Sequence, residues 1–221
     1  MLAALLLAGF VAAADAPDFA KDTLPDRISK DEMASGKSVA ALRDKVKALW
    51  PSIVFNKAGK KVNYTVKLET DDGNIEIEFL PDVAPNHVRS FVCLAKVGYF
   101  DGLNFHRCLA NFMIQGGCPN GNGNGGPGYR LRAEFNRTPH DEGVLSMARQ
   151  GDPAFDSAGS QFFICLTRDG TKGLDNKYTV FGKVKTGMEA VKKIVARPVG
   201  NRNDGNTINP CKIKKATVTE N

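Results

Sequence analysis

The sequence predicts a mainly-β domain, a closed antiparallel barrel or a sandwich, with two helices packed on it. Three observations lead there. From Tyr64 onward, apolar and polar residues alternate with the period of a strand. The short runs LNFHRCL, NFMIQGG, GVLSMAR, SQFFICLT and YTVFGKV follow, separated by clusters of Gly, Pro, Asn and Asp. Beyond Tyr64 only two stretches carry helical spacing, which does not fit alternating β-α units around a parallel sheet.

Residues 1–14 read as a signal peptide. Leu2 to Val11 is an apolar core too short to span a bilayer, and Ala12-Ala13-Ala14 offers a cleavage site after Ala14. No Lys or Arg precedes that core, so only the α-amino group supplies the usual positive charge. The segment predicts an exported protein, periplasmic or secreted, without a membrane span. Residues 15–61 form an extension. Its SKDE at 29–32 resembles a capping box, and Val39, Leu42, Val46 and Leu49 recur at helical spacing before Pro51. A turn at KAGKK follows. The extension could pack on the main domain or bind a partner.

Residues 62–221 form the main domain. Tyr64, Val66 and Leu68 alternate with polar residues, Asp72-Gly73 signals a hairpin turn, and Ile75, Ile77 and Phe79 continue the alternation. Pro85 suits the first turn of a helix whose stripe is Val88, Phe91, Val92 and Ala95, with Gly98 as its stop. A second helix is expected over Met188 to Val195, and KIKKATVT reads as the last strand.

With 221 residues and 42% apolar content, the chain can bury a core without staples. Its net charge of +6 is scattered, so no nucleic-acid surface is expected. The five cysteines include no C-x-x-C pair and leave at least one thiol unpaired. Cys93 and Cys165, inside apolar runs, read as small buried residues. The three histidines, His87, His106 and His140, match no metal-ligand spacing. Neither Ser146 nor Ser160 sits in a G-x-S-x-G elbow. Gly121, Gly123 and Gly126 spell G-x-G-x-x-G, yet Pro127 and Gly128 follow where a nucleotide site needs a helix. A flexible, solvated loop is expected instead. Asn63 and Asn136 head N-x-T sequons, relevant only in a eukaryotic secretory pathway.

FHRCLANFMIQGG, residues 105–117, places Arg107 and Gln115 among Phe105, Phe112, Met113 and Ile114. GSQFFIC places Gln161 beside Phe162 and Phe163. A guanidinium is costly to bury unpaired. Strand alternation puts Phe112 and Ile114 on one face and Met113 and Gln115 on the other. Donors beside apolar pockets suit a groove that grips a peptide or small ligand. The plainer alternative is that Arg107 pairs with a carboxylate on the barrel surface.

At these residues the chain resembles the cyclophilin peptidyl-prolyl isomerases. The F-H-R-x-x-x-x-F-M-x-Q-G-G signature is followed, in the family's order, by GVLSMAR, GSQFFIC, LDNKYTVFGKV and GMEAVKKI, over residues 62 to 219. The resemblance implies an eight-stranded antiparallel closed barrel capped by two helices, with a substrate groove on its outer surface. It implies rotation about X-Pro bonds without a cofactor or metal. Arg107 would be catalytic together with Gln115. Phe112, Met113, Ala148, Arg149, Gln161, Phe163, Leu174 and Tyr178 would bind substrate. Partners would be proline-containing peptides or unfolded proteins, met by a monomer, and a binding module with little turnover is the alternative. Three positions depart from the best-known eukaryotic pattern: Gly173 stands for tryptophan, Tyr178 for histidine and Arg149 for asparagine. The last two look like bacterial members, and the first implies weak cyclosporin binding.

Overall fold

The computed structural model describes residues 39–201 and 204–221. The expected signal peptide and the SKDE capping box lie outside the described residues. Helix α1 (Val39–Leu49) runs into a 3-10 turn at Trp50–Ser52, where Pro51 ends the run as its missing N–H requires. A small hairpin follows, β1 (Asn56–Lys57) and β2 (Lys60–Lys61), closed by Ala58 and Gly59 at positive φ. KAGKK is therefore a two-residue hairpin turn with a short strand on each side.

The barrel strands are β3 (Tyr64–Thr70), β4 (Gly73–Phe79), β5 (Asn104–Leu109), β6 (Met113–Gly116), β7 (Val144–Met147), β8 (Phe162–Cys165), β9 (Val180–Thr186) and β10 (Asn206–Glu220). They close in the order β10-β3-β4-β9-β7-β8-β6-β5, every pair antiparallel. The expected eight-stranded barrel is what forms, and closure leaves no open sheet edge. Two longer helices pack on it, α2 (Pro85–Lys96) and α4 (Met188–Val195), with a single turn α3 (Arg168–Thr171) beside the strands.

The interior follows from alternation. Tyr64, Val66 and Leu68 on β3 and Ile75 and Ile77 on β4 point inward and are buried. On the far wall, Cys108, Ile114, Ile164 and Leu145 stand opposite one another across β5, β6, β8 and β7 and are buried in the same core. Helix α2 buries its predicted stripe of Val88, Phe91, Val92 and Ala95. It also buries His87 and Ser90, because a loop crosses its other side. Ser90 Oγ meets Tyr129 OH at 2.6 Å. The Glu134 carboxylate accepts the backbone N–H groups of Asn86 at 3.1 Å and His87 at 3.0 Å. Ala84, at the N-cap, has no side-chain oxygen, so this distant carboxylate satisfies the orphan donors of the first turn.

All five cysteines are buried and free. Burial pushes the thiols of Cys93, Cys108 and Cys165 up to about 12, which leaves them unreactive near neutrality. The Asn136 amide donates to Glu134 O at 3.1 Å and Val180 O at 2.9 Å, so this sequon is spent on folding and presents no free acceptor for a glycan.

The described part of the extension docks on the barrel domain. Leu42, Val46, Trp50 and Ile53 are buried in the main core. Arg89 of α2 clamps them: its guanidinium lies 5.7 Å from the Trp50 ring and 5.3 Å from Phe55, and its Nε donates to Ile53 O at 2.9 Å. Trp50→Ala should therefore destabilise the whole domain by about 3 kcal/mol, the range for truncating a buried aromatic. Urea unfolding followed by circular dichroism checks this. A variant as stable as the native chain would show that the extension contributes nothing to the core.

Candidate functional site

Register decides which residues face outward together. Arg107 on β5 stands opposite Gln115 on β6, Gln115 opposite Phe163 on β8, and Phe163 opposite Ser146 on β7. This row lies on the outer face of the wall whose inner row fills the core. One row further along, Met113 pairs with Cys165, and both join a second apolar cluster outside the barrel.

A cavity of about 130 Å³ opens in this outer cluster. It is smaller than the roughly 300 Å³ or more that a drug-sized ligand needs. Arg107 and Gln115 form its polar side, and Phe112, Met113, Phe163 and Leu174 its apolar walls. Ala148, Arg149 and Tyr178 complete the lining. The structure thus brings together nine of the ten residues expected at the site. Gln161 stands one step behind.

Its place explains the polar chain. Arg107 Nε donates to Asp204 O at 2.8 Å, and Nη1 to Gln115 Oε1 at 3.5 Å. Arginine can only donate, which fixes the orientation of the Gln115 amide. Gln115 Nε2 then donates to Gln161 Oε1 at 3.0 Å. Gln161 Nε2 in turn donates to Gly123 O at 2.7 Å and Gly125 O at 3.0 Å. The glycine loop is anchored rather than free. Gly121, Gly123 and Gly125 take positive φ so that its carbonyls point at Gln161. Arg107 has no carboxylate partner among the described residues, so the surface ion-pair alternative does not hold.

Phe112 departs from simple alternation. It precedes β6 in a turn, where Phe112 N donates to Leu109 O at 3.1 Å after Asn111 at φ 62°. It therefore packs outside with Met113, while Ile114 faces the barrel interior; Phe112 and Ile114 do not share a face. The turn is locked from α3, where Thr167 Oγ1 donates to Asn111 O at 2.7 Å. Gly170 is obligatory there, since a Cβ would fall 1.8 Å from the same carbonyl.

Under the far wall lies a buried polar cluster. The His140 ring stacks on Phe163 at 6.1 Å with 12° between planes. Its Nδ1 meets Asp175 Oδ1 at 3.0 Å and its Nε2 meets Ser146 Oγ at 3.0 Å. Serine, histidine and aspartate in series look like a nucleophilic triad, yet His140 and Ser146 are fully buried, and Ser146 Oγ also bonds Thr179 O at 3.0 Å. No substrate reaches that hydroxyl. The cluster is a buttress, because Asp175 and Thr179 adjoin the wall residues Leu174 and Tyr178. The bidentate Arg168 guanidinium holds the Asp175 carboxyl well below the usual carboxylate range, and burial pushes the His140 imidazole down.

Two aromatic residues escaped the sequence reading. The Arg149 guanidinium lies 5.6 Å from the Phe135 ring, 5.2 Å from Phe155 and 4.8 Å from Tyr178. The Arg149 side chain thus organises an aromatic wall beside the cavity. Phe135 and Phe155 carry no motif and come from separate loops, so only their exposure in the folded chain identifies them.

The closed antiparallel barrel carries a small, largely apolar cavity and a tethered guanidinium on its outer wall. The model of the cyclophilin-type peptidyl-prolyl cis-trans isomerases matches residues 65–218, and the chain belongs to this family. A peptidyl-prolyl cis-trans isomerase of Synechococcus elongatus is 48% identical over 118 residues, 53% of this chain and 78% of that protein. Isomerase B of Bacillus subtilis is 46% identical over 127 residues, 56% of this chain and 85% of its own. Isomerase cypE of Dictyostelium discoideum is 42% identical over 159 residues, 70% of this chain and 97% of its own. A crystal structure of a cyclophilin-type isomerase from Cryptosporidium parvum superposes with a TM-score of 0.66 at 29% identity, covering 72% of this chain and 99% of that one.

His106, beside Arg107, is 4% exposed, and neither ring nitrogen has a hydrogen-bond partner of good geometry among the described residues. Burial, helped by the Arg107 charge, lowers its pKa to about 4. An unfolded histidine titrates near 6.5. Above that pH the ring is neutral in both states and carries no penalty. Below it the unfolded chain binds a proton that the folded chain refuses. Stability should fall by about 3 kcal/mol between pH 6.5 and 4, at roughly 1.4 kcal/mol per pH unit. Urea unfolding across that range should show the native chain losing this much more than His106→Phe. Parallel profiles for the two proteins would refute it.

Proposed function

We propose that Arg107 accelerates X-Pro rotation by donating to the proline nitrogen as it loses conjugation. The amide barrier is about 18–20 kcal/mol, and X-Pro isomers interconvert over roughly tens to hundreds of seconds unaided. No bond breaks, so the protein has only to favour the twisted amide over both planar forms. In that state the nitrogen lone pair becomes basic, and a fixed donor binds it more strongly than in either ground state. The observation that supports this reading is the guanidinium tethered at Nε and Nη1 on the rim of an apolar cavity, with its remaining N–H groups unengaged among the described residues.

Phe112, Met113, Phe163 and Leu174 clamp the proline ring. Gln115 holds the flanking backbone on the guanidinium side, so one end of the peptide is fixed while the other turns. A gain of about a hundred-thousandfold needs roughly 7 kcal/mol of preference for the twisted state. Ala-Pro is the dipeptide present in a second Cryptosporidium parvum cyclophilin structure, of TM-score 0.65, and it has the chemistry this cavity would accept. Clients are proline-containing segments of unfolded proteins outside the cytoplasm, a location that rests on reading residues 1–14 as a signal peptide. The chain acts as a monomer, in keeping with a closed barrel that offers no strand edge for pairing.

Arg107→Ala should lower kcat/KM on a short X-Pro peptide by about a hundred- to a thousandfold, the usual loss for one preorganised donor. NMR exchange spectroscopy on the native chain and the variant measures it, with circular dichroism confirming the fold. Binding without acceleration in the native chain would make the protein a proline-peptide module instead. Cyclosporin should bind weakly, since Gly173 leaves open space where the better-known members carry tryptophan. Gly173→Trp should tighten it by about tenfold, a modest value for one aromatic anchor. A calorimetric titration that finds native and variant equal would remove Gly173 as the cause.

A further inference from the structure

Phe135 and Phe155 are 37% and 45% exposed, an unusual state for rings of this size. They meet edge to face, with centroids 6.0 Å apart and planes at 83°. Beneath them the Arg149 side chain is only 5% exposed. The usual order is inverted, with the charge inside and the rings outside. Arg149 cannot swing away, because Nε donates to Lys177 O at 2.9 Å, Nη1 to Gln150 O at 2.8 Å and Nη2 to Asp152 Oδ1 at 2.7 Å. The loops carrying the rings are tied together, Ala133 N donating to Asp156 Oδ1 at 2.8 Å. The exposed pair is therefore held in place before any ligand arrives.

This patch is continuous with the proline cavity. Phe163 meets Tyr178 edge to face at 5.8 Å, Tyr178 lies 4.8 Å from the Arg149 guanidinium, and that guanidinium lies 5.2 Å from Phe155. An extended peptide at about 3.3 Å per residue covers that path in at most about five residues. We propose that Phe135 and Phe155 form a specificity subsite for an aromatic side chain of the client peptide, placed within about five residues of the proline. A third ring there completes an edge-to-face cluster and covers the exposed surfaces. The subsite rests on reading the cavity as the proline site.

The test is a thermodynamic cycle on binding. An alanine-based host peptide with one central proline is compared with peptides in which phenylalanine is walked through five positions on either side. Dissociation constants come from NMR titration of the full chain and of the Phe135→Ser/Phe155→Ala double variant. At one position phenylalanine should tighten binding to the native chain by about tenfold, the low end of what one apolar side chain is worth in a pocket. In the double variant that ratio should fall to about one, whatever happens to the host peptide. A ratio near one at every position in the native chain, or one that survives in the variant, overturns the proposal and leaves the rings as a cover for Arg149. Exchange rates on the host peptide test the Arg107 mechanism separately, because they do not enter the ratio.

Discussion

The register of β5, β6, β8 and β7 is the constraint on which the rest depends. In that wall Cys108, Ile114, Ile164 and Leu145 face inward, while Arg107, Gln115, Phe163 and Ser146 face outward. A slip of one residue would exchange the two sets. It would drive a guanidinium and an amide into the hydrocarbon interior, where an unpaired charge is intolerable. The core therefore enforces the site: burying the aliphatic row obliges the polar row to meet outside. This is how an arginine can sit in an apolar run without destabilising it.

Two polar systems then hold the outer row in shape, and both are forced by donor and acceptor chemistry. Because Arg107 can only donate, the amides of Gln115 and Gln161 take one orientation, and the chain must end on acceptors. The carbonyls of the glycine loop supply them, which gives that loop a structural purpose without any nucleotide. On the other side, the His140, Asp175 and Ser146 cluster backs Phe163 and fixes the segment between Leu174 and Thr179.

The groove does not end at the cavity. The Arg149 side chain joins the cavity to the Phe135 and Phe155 patch through Tyr178, so the cavity wall and the neighbouring surface are linked by one guanidinium. Arg149 and Tyr178 are two of the three departures from the best-known family pattern, and they touch each other. The replacements act together, the phenol offering a ring face for the guanidinium. Away from the groove, α1 and Trp50 dock through Arg89 and belong to the same core as the barrel.

Much of this was legible in the sequence. Period-two alternation from Tyr64 gave the strands, and Pro85 and Gly98 bounded α2, because alternation and helix punctuation are local and survive any tertiary arrangement. Where local rules break, the reading failed. Phe112 follows a left-handed Asn111, so its side chain left the face that alternation assigned. The glycine loop looked free because the amide that anchors it is 36 to 38 residues away in sequence. Phe135 and Phe155 carried no signal at all. The sequence by itself determined the strands and the helices, which depend on neighbours along the chain. Only the tertiary structure decided the hydrogen-bond polarity, the buried His140 buttress and the aromatic wall, since each is made by residues that meet through barrel closure rather than through proximity in sequence.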